Sequence, residues 1–189
     1  MVRKNEADEF TYDECGGFGD GVSVFAQDNV DGTSIDEDGN HFEYIDIDII
    51  PFNAGDSIEK PEDWDDDKKI KGTEKTPYEI YANQKAHAHG VVAQQFYNTY
   101  RFIELGERNI DFEDMISLDI EDDTLFNKII REMSTALWVK SESTSKKKVE
   151  DKKAMKKRTG QESPNLNDAI IMTRAPRPSV PLNFLDMEW

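Results

Sequence analysis

Apolar and polar positions alternate at Phe10, Thr11, Tyr12 and Asp13, and the alternation runs straight into Gly16, Gly17, Phe18 and Gly19. A period of two marks a half-buried strand and a glycine cluster marks a sharp turn, so a strand ending at Asp13 is predicted. A helix follows, with Val22, Phe25 and Ala26 at helical spacing and Asp20 placed to cap it. Residues 28–40 are rich in Asp, Gly and Asn and predict a loop. Alternation returns over 42–52, giving a second strand closed by Pro51 and by Asn53, Ala54 and Gly55.

Residues 56–76 form a polar, acidic loop centred on Asp63, Trp64, Asp65, Asp66 and Asp67. From Pro77 a long helix is predicted, because Tyr81, Ala88, Val92, Phe96, Tyr100 and Ile103 make one continuous stripe that ends before Gly106. A shorter helix spans about 120–133, with Leu125, Ile129 and Met133 on one side. Residues 136–140 and 147–150 flank a polar tip and predict a β-hairpin over 136–150. Two helices finish the pattern. The first, about 151–157, is strongly basic; the second begins at Ser163 and Pro164, where Ser can cap and Pro suits the first turn. Strands alternating with helices argue for an α/β layer structure.

The chain has 189 residues, enough for one core, with 37% hydrophobic and 33% charged residues. No stretch reaches the roughly 18 apolar residues of a membrane span, and no secretory signal pattern opens the chain. Cys15 is the single cysteine, which excludes an internal disulfide framework and a thiolate zinc site, and it reads as a small filler in a turn. A net charge of -17 looks hostile to nucleic acid, but its distribution changes the picture. Residues 1–67 carry 21 acidic and three basic side chains, whereas residues 140–158 carry nine basic and three acidic. That basic run is either a solvated face or a patch holding a polyanion beside an acidic, cation-binding centre.

Asp168 is the most informative single residue. Its helix, with Leu166, Ala169, Ile170, Ile171 and Met172, is apolar nearly all round and should be buried. An ionised carboxylate there needs a cation or good hydrogen bonds. A salt bridge to Arg158 or Arg174, a hydrogen bond to a turn, and a metal ion would each answer that need. Asp13 is a natural companion, since it ends a strand where backbone and side chain point into a crevice, and hard cations such as magnesium prefer carboxylate oxygen. His87 and His89 are two residues apart on a helix and do not make a zinc pair; His41 reads as a surface residue.

Residues 148–172 resemble the final nuclease motif of the large terminase subunits of tailed phages, in which a Lys, a Met-Lys-Lys-Arg-type helix and a Ser-Pro-Asp turn lead into an Ala-Asp-Ala helix. Here the matching stretch begins at Lys148 and runs through Met155, Lys156, Lys157 and Arg158, then Ser163, Pro164 and Asn165, to Asn167, Asp168 and Ala169. Tyr12 to Val22 is similar to that family's strand-end Asp before a Gly-x-Gly-x-Val helix start. Asn83, Gln84, Lys85 and Ala86 are similar to its Asn-x-[Lys/Arg]-Ala motif.

The resemblance implies an α/β, ribonuclease H-like mixed sheet flanked by helices, incomplete at its N-terminal side, over residues 1–175, with 176–189 a C-terminal tail. It implies cutting of concatemeric double-stranded DNA at a two-metal magnesium or manganese site. Asp13 matches the second acid of that site and Asp168 the last. Asn165 stands where many relatives carry an Asp or His that assists the second metal, and Asn167 stands where Ala is usual. Lys152, Lys156, Lys157 and Arg158 are placed by charge as contacts to the DNA backbone. The family's first acid lies on an earlier strand, behind an ATPase domain, and this sequence contains no Gly-x-x-x-x-Gly-Lys-[Ser/Thr] phosphate loop. A preceding segment, or a second chain from a split gene, is therefore expected to supply both. The implied partners are double-stranded DNA, the terminase ATPase segment or chain, the portal and the small terminase subunit, and the implied location is the host cytoplasm at the procapsid portal. The alternative is a non-catalytic module that clamps DNA or assembles the motor. An acidic calcium-binding protein is disfavoured, because neither acidic run follows the EF-hand pattern.

Overall fold

A computed structural model of the chain describes residues 9–14, 22, 28, 35, 38–41, 47–61, 69–161 and 163–175. Strand β1 (Glu9–Asp13) ends at Asp13, as its alternation predicts, and pairs in parallel with β2 (Asp48–Phe52), which sets Asp13 opposite Phe52. Parallel neighbours need a crossover between them. Val22 is helical, but the rest of the helix expected around it and most of the 28–40 loop fall in that crossover and lie outside the described residues, as do Cys15, the acidic centre 63–67 and the 176–189 tail. Pro51 does not close β2 but lies within it, opposite Tyr12. Proline removes one ladder donor, which an edge strand tolerates.

The long helix predicted from Pro77 is two helices. The first, α1 (Pro77–Ile80), spans one turn; the chain then leaves the helix through Tyr81 and Asn83, both extended, and α2 (Gln84–Ile103) begins anew. Asn83 causes the break. Its Oδ1 accepts the Ala86 amide at 2.9 Å, capping the second helix in a way a continuous helix would forbid. The freed backbone is not orphaned, since the Ala82 amide donates to the Lys147 carbonyl at 2.9 Å. The first amides of α2, at Gln84 and Lys85, donate to the carbonyls of Asp56 and Ala54 in the turn that follows β2. The start of α2 is thereby fixed to the end of the parallel pair.

Beyond a one-turn 3-10 segment (Phe112–Asp114) comes α3 (Asp123–Thr135), starting three residues later than predicted because Asp122 caps it through the Thr124 and Leu125 amides. The predicted hairpin is present as β3 (Trp138–Lys140) and β4 (Lys147–Val149), antiparallel, with Ser145 at φ 58° in the tip. Helix α4 (Lys152–Thr159) is capped by Asp151 and ended by Gly160 at φ 69°, the left-handed stop that glycine suits. Helix α5 (Asn165–Thr173) completes the described fold.

Helix α5 is where the core gathers. It packs against β1, α2 and α3, and Ile171, almost fully buried, meets Phe52, Ala88 and Val92, with Phe96 and Met133 around them. Only one side is buried, not the whole circumference that its composition predicts: Ala169 and Thr173 are exposed. Its N-terminus also departs from expectation. Ser163 does not cap it; the N-cap is Pro164, without a side-chain hydrogen bond. The buried carboxylate of Glu132, from α3, accepts the Leu166 and Asn167 amides at 2.8 and 3.2 Å instead. A cap supplied by another helix ties α3 to α5 and places an anion at the positive end of the dipole.

Replacing Glu132 by Ala would strand two amides, one of them buried, and should lower stability by about 2–3 kcal/mol, whereas Glu132→Gln, which keeps an acceptor oxygen, should cost about half that. Urea unfolding monitored by circular dichroism measures both. Equal losses would mean that the carboxylate acts through packing alone.

Candidate metal centre

Asp168 lies in the first turn of α5, and both of its oxygens are taken by lysines. Lys85 Nζ lies 2.8 Å from Oδ1 and Lys152 Nζ lies 2.8 Å from Oδ2. Neither Arg158 nor Arg174, the partners expected from sequence, forms this pair. Arg158 instead forks onto Glu150 through Nε and Nη2 and donates to the Thr135 carbonyl at 2.6 Å, clamping α4 to the hairpin and to the end of α3. The Asp168 and Lys85 side chains are only 18% and 20% exposed, so their interaction is weakly screened, while Lys152 is 52% exposed.

Both lysines belong to the first turn of their own helices, Lys85 in α2 and Lys152 in α4. A cation there opposes the helix dipole. The shared carboxylate offsets that cost, and it draws three helix starts toward one point. Burial on its own would raise the Asp168 carboxyl, but the hydrogen bonds from Lys152 and Lys85 outweigh it and hold the group below its ordinary value.

Asp13 sits at the exposed end of β1, the strand against which α5 packs. The strand that carries one candidate carboxylate and the helix that carries the other are thus packed elements. Asn165 is the exposed first residue of α5, three positions before Asp168 and so on the same side of the helix. Lys156 and Lys157 are exposed on α4. The sequence placed Lys85 in a matching motif without giving it a role, and it gave Glu132 none. A lysine two residues after an Asn cap, where the dipole disfavours it, was the available signal for Lys85; nothing local marked Glu132.

Among the described residues, no group of three or more His, Cys, Asp or Glu side chains could hold a metal ion. Two carboxylates on adjacent elements remain a reasonable donor set for one hard cation, because magnesium is often held by one or two carboxylates with water and phosphate completing its shell. His87 and His89 are not part of it. Burial pushes both down to about 4, and for His89 nearby Lys85 pushes the same way while Asp168 opposes it. His87 stacks on Tyr81 and His89 meets the edge of Trp138, so they pack the hairpin onto α2. His41 is exposed, as expected.

No family model matches the sequence, and neither does any curated protein. Solved structures do. The nuclease domain of the large terminase subunit of bacterial virus Sf6 is similar with a TM-score of 0.74 at 23% identity, over 94% of this chain and 69% of that one. A point mutant of that domain with manganese gives 0.72 at 24% identity, over 93% and 69%, and one with calcium gives 0.72 at 24%, over 93% and 68%. The likeness shows the fold: a mixed α/β arrangement of helices and small sheets like that of a terminase nuclease domain. Among the described residues, no helix is long and apolar enough to cross a membrane.

Two pH windows follow from these groups. His87 and His89 have folded values near 4 against 6.5 unfolded, so the unfolded chain binds more protons between those values and stability should fall as pH drops from 6.5 toward 4. Asp168 has a depressed folded value, so its contribution is present above the ordinary carboxylate range and is lost as pH falls through the lower folded one. Urea midpoints measured across both windows should lose the upper slope in His87→Gln/His89→Gln and the lower one in Asp168→Asn. Asp168→Asn should also cost about 1–3 kcal/mol at neutral pH, since it leaves Lys85 half-paired in a poorly hydrated site.

Proposed function

We propose that this chain is the metal-dependent endonuclease part of a phage DNA-packaging terminase, cutting concatemeric double-stranded DNA by phosphodiester hydrolysis. The observation that carries the proposal is the placement of Asp168 at the start of α5, against the strand that ends in Asp13, within a fold similar to a terminase nuclease domain. The residue pattern over 148–172 and the sheet-and-helix arrangement support a ribonuclease H-like fold for residues 1–175.

In this reading Asp13 and Asp168 would hold magnesium or manganese, with Asn165 lending a weaker oxygen donor beside Asp168. A pair of such ions would supply Lewis acidity for activating water and for stabilising the leaving oxygen. Lys85 and Lys152 keep the Asp168 carboxylate ionised and fixed in direction, and they leave positive charge where a scissile phosphate would lie. Lys156 and Lys157 contact the DNA backbone along α4, while Lys152 and Arg158, engaged with Asp168 and Glu150, act mainly by holding that helix in place. A further carboxylate, from the terminase ATPase segment or chain, completes the centre. The role brings with it the portal and the small terminase subunit as partners and the host cytoplasm, at the procapsid portal, as the place of action.

The absence of a three-acid group among the described residues favours one second reading, a non-catalytic module that clamps DNA on the motor. Plasmid cutting separates the two. The chain mixed with its upstream polypeptide should cut in manganese, and Asp168→Ala should reduce cutting at least about a hundredfold. A folded, associated mixture that binds DNA but does not cut it would establish the clamp instead. For the DNA contacts, Lys156→Ala/Lys157→Ala should lower the slope of log affinity against log salt by about two in fluorescence anisotropy on duplex DNA, with little dependence on sequence.

A further inference from the structure

Three large apolar side chains stand nearly half exposed around one hollow: Ile130 on α3, and Leu137 and Trp138 where the hairpin begins. The hollow is an open groove of about 330 Å³, and the less exposed Val92, Phe96 and Met133 line it too. Water gains little at such a surface, and a contiguous exposed apolar patch marks a place that another apolar group covers.

The groove also has a charged edge. In the antiparallel hairpin Trp138 pairs with Val149 and Lys140 pairs with Lys147. Side chains alternate between the two faces of a strand, so both lysines share the face of Trp138 and Val149, which line the groove. Lys147 Nζ lies 5.8 Å from the centre of the Trp138 ring, and neither lysine forms an ion pair among the described residues. The occupant that fits is apolar along its length and acidic where it passes the hairpin.

The chain itself carries such a segment. Residues 182–189 hold Leu182, Phe184, Leu185, Met187 and Trp189, with Asp186 and Glu188 set among them. The described chain ends close to the groove: Ala175 packs against the buried cluster that includes Val92, and Phe96 and Met133 pack against the same cluster. Asn167, which also lines the groove, lies on the order of 12 Å back along α5. The spacer 176–181 contains Pro176, Pro178 and Pro181, and a proline-rich stretch of that length spans roughly 19 Å, enough to lead the apolar segment back to the groove. Tethering favours this occupant over a free one, because an attached segment acts at a roughly millimolar effective concentration.

We infer that residues 182–189 dock in the groove between α2, α3 and the hairpin, with their apolar side chains over Ile130, Leu137 and Trp138 and their two acids toward Lys140 and Lys147. The inference is independent of the nuclease reading, since it uses neither carboxylate of the candidate centre and no metal.

Disulfide trapping in the full chain tests it. Cys15 is the single cysteine, so Cys15→Ser gives a thiol-free background. Leu185→Cys is then combined with Ile130→Cys, Leu137→Cys or Tyr100→Cys, three exposed positions of which Tyr100, near the end of α2, does not line the groove. Circular dichroism checks the fold of each variant, and two groove positions keep the test decisive if one of them does not fold. Under mild oxidation the groove pairs should close within one chain at least about tenfold faster than the Tyr100 pair, as read by mass spectrometry. Adding Phe184→Ser/Trp189→Ser should bring the groove rates down to the Tyr100 rate. Equal rates for all pairs, a fast groove rate that survives those two changes, or disulfide-linked dimers as the main product, which would seat a second copy in the groove, would each overturn the inference.

Discussion

The carboxylate of Asp168, held between two ammonium groups at 2.8 Å each, is the interaction around which the described fold is arranged. Its partners come from the first turns of α2 and α4, and Asp168 itself comes from the first turn of α5. Lysines at two helix starts would each work against their own helix dipole, and a lone carboxylate on a partly apolar helix would be poorly solvated. Together the three groups relieve all three penalties. The positions of the helices are therefore interdependent: moving any one start by more than about an ångström leaves a charge without its partner in a region where water screens weakly.

The rest of the fold supplies what that triad lacks. Two paired strands rarely stand alone in water, and each described sheet has just two. Stability has to come from helix packing, and α2 is built for it. Ala86 and Ala88 are fully buried, and a side chain on Gly90 would meet the Tyr81 hydroxyl at 2.2 Å, so these three positions leave room for close neighbours. Tyr81 closes over Gly90, stacks on His87 and meets Trp138, which seats the hairpin. Caps lent between elements then set direction: Glu132 reaches from α3 to α5, and the turn after β2 takes up the first amides of α2.

How much of this was legible in the sequence depends on the range over which each signal acts. The end of β1 at Asp13, the hairpin and the basic helix after it were readable, because alternation, turn residues and an Asp cap act within a few positions. The break at residues 81–83 was not, because the apolar stripe continues through it from Tyr81 to Ile103 and hides a cap whose meaning depends on the Lys147 carbonyl, far along the chain. Asp168 stood out as an acid needing a partner, yet the partner was misjudged. Arg158 and Arg174 are near in sequence, whereas Lys85 lies 83 residues away, and no local pattern encodes that separation. The Asp13 side of the centre was legible as a strand end, and its ligand role remains part of the proposal.

The triad also bears on how a cation would enter. Two ammonium groups around one carboxylate leave a local surplus of positive charge, which repels a bare divalent ion. In the proposed reading, an ion settles beside Asp168 only when more negative charge arrives with it, from Asp13, from a further carboxylate or from a DNA phosphate. Each arrival also gives the lysines an alternative anion, so releasing Asp168 does not strand them in a dry site. Metal and substrate then reinforce each other's binding through the same three side chains. The arrangement that holds the helix starts together without metal is, on this reading, what keeps the centre from assembling before DNA is present.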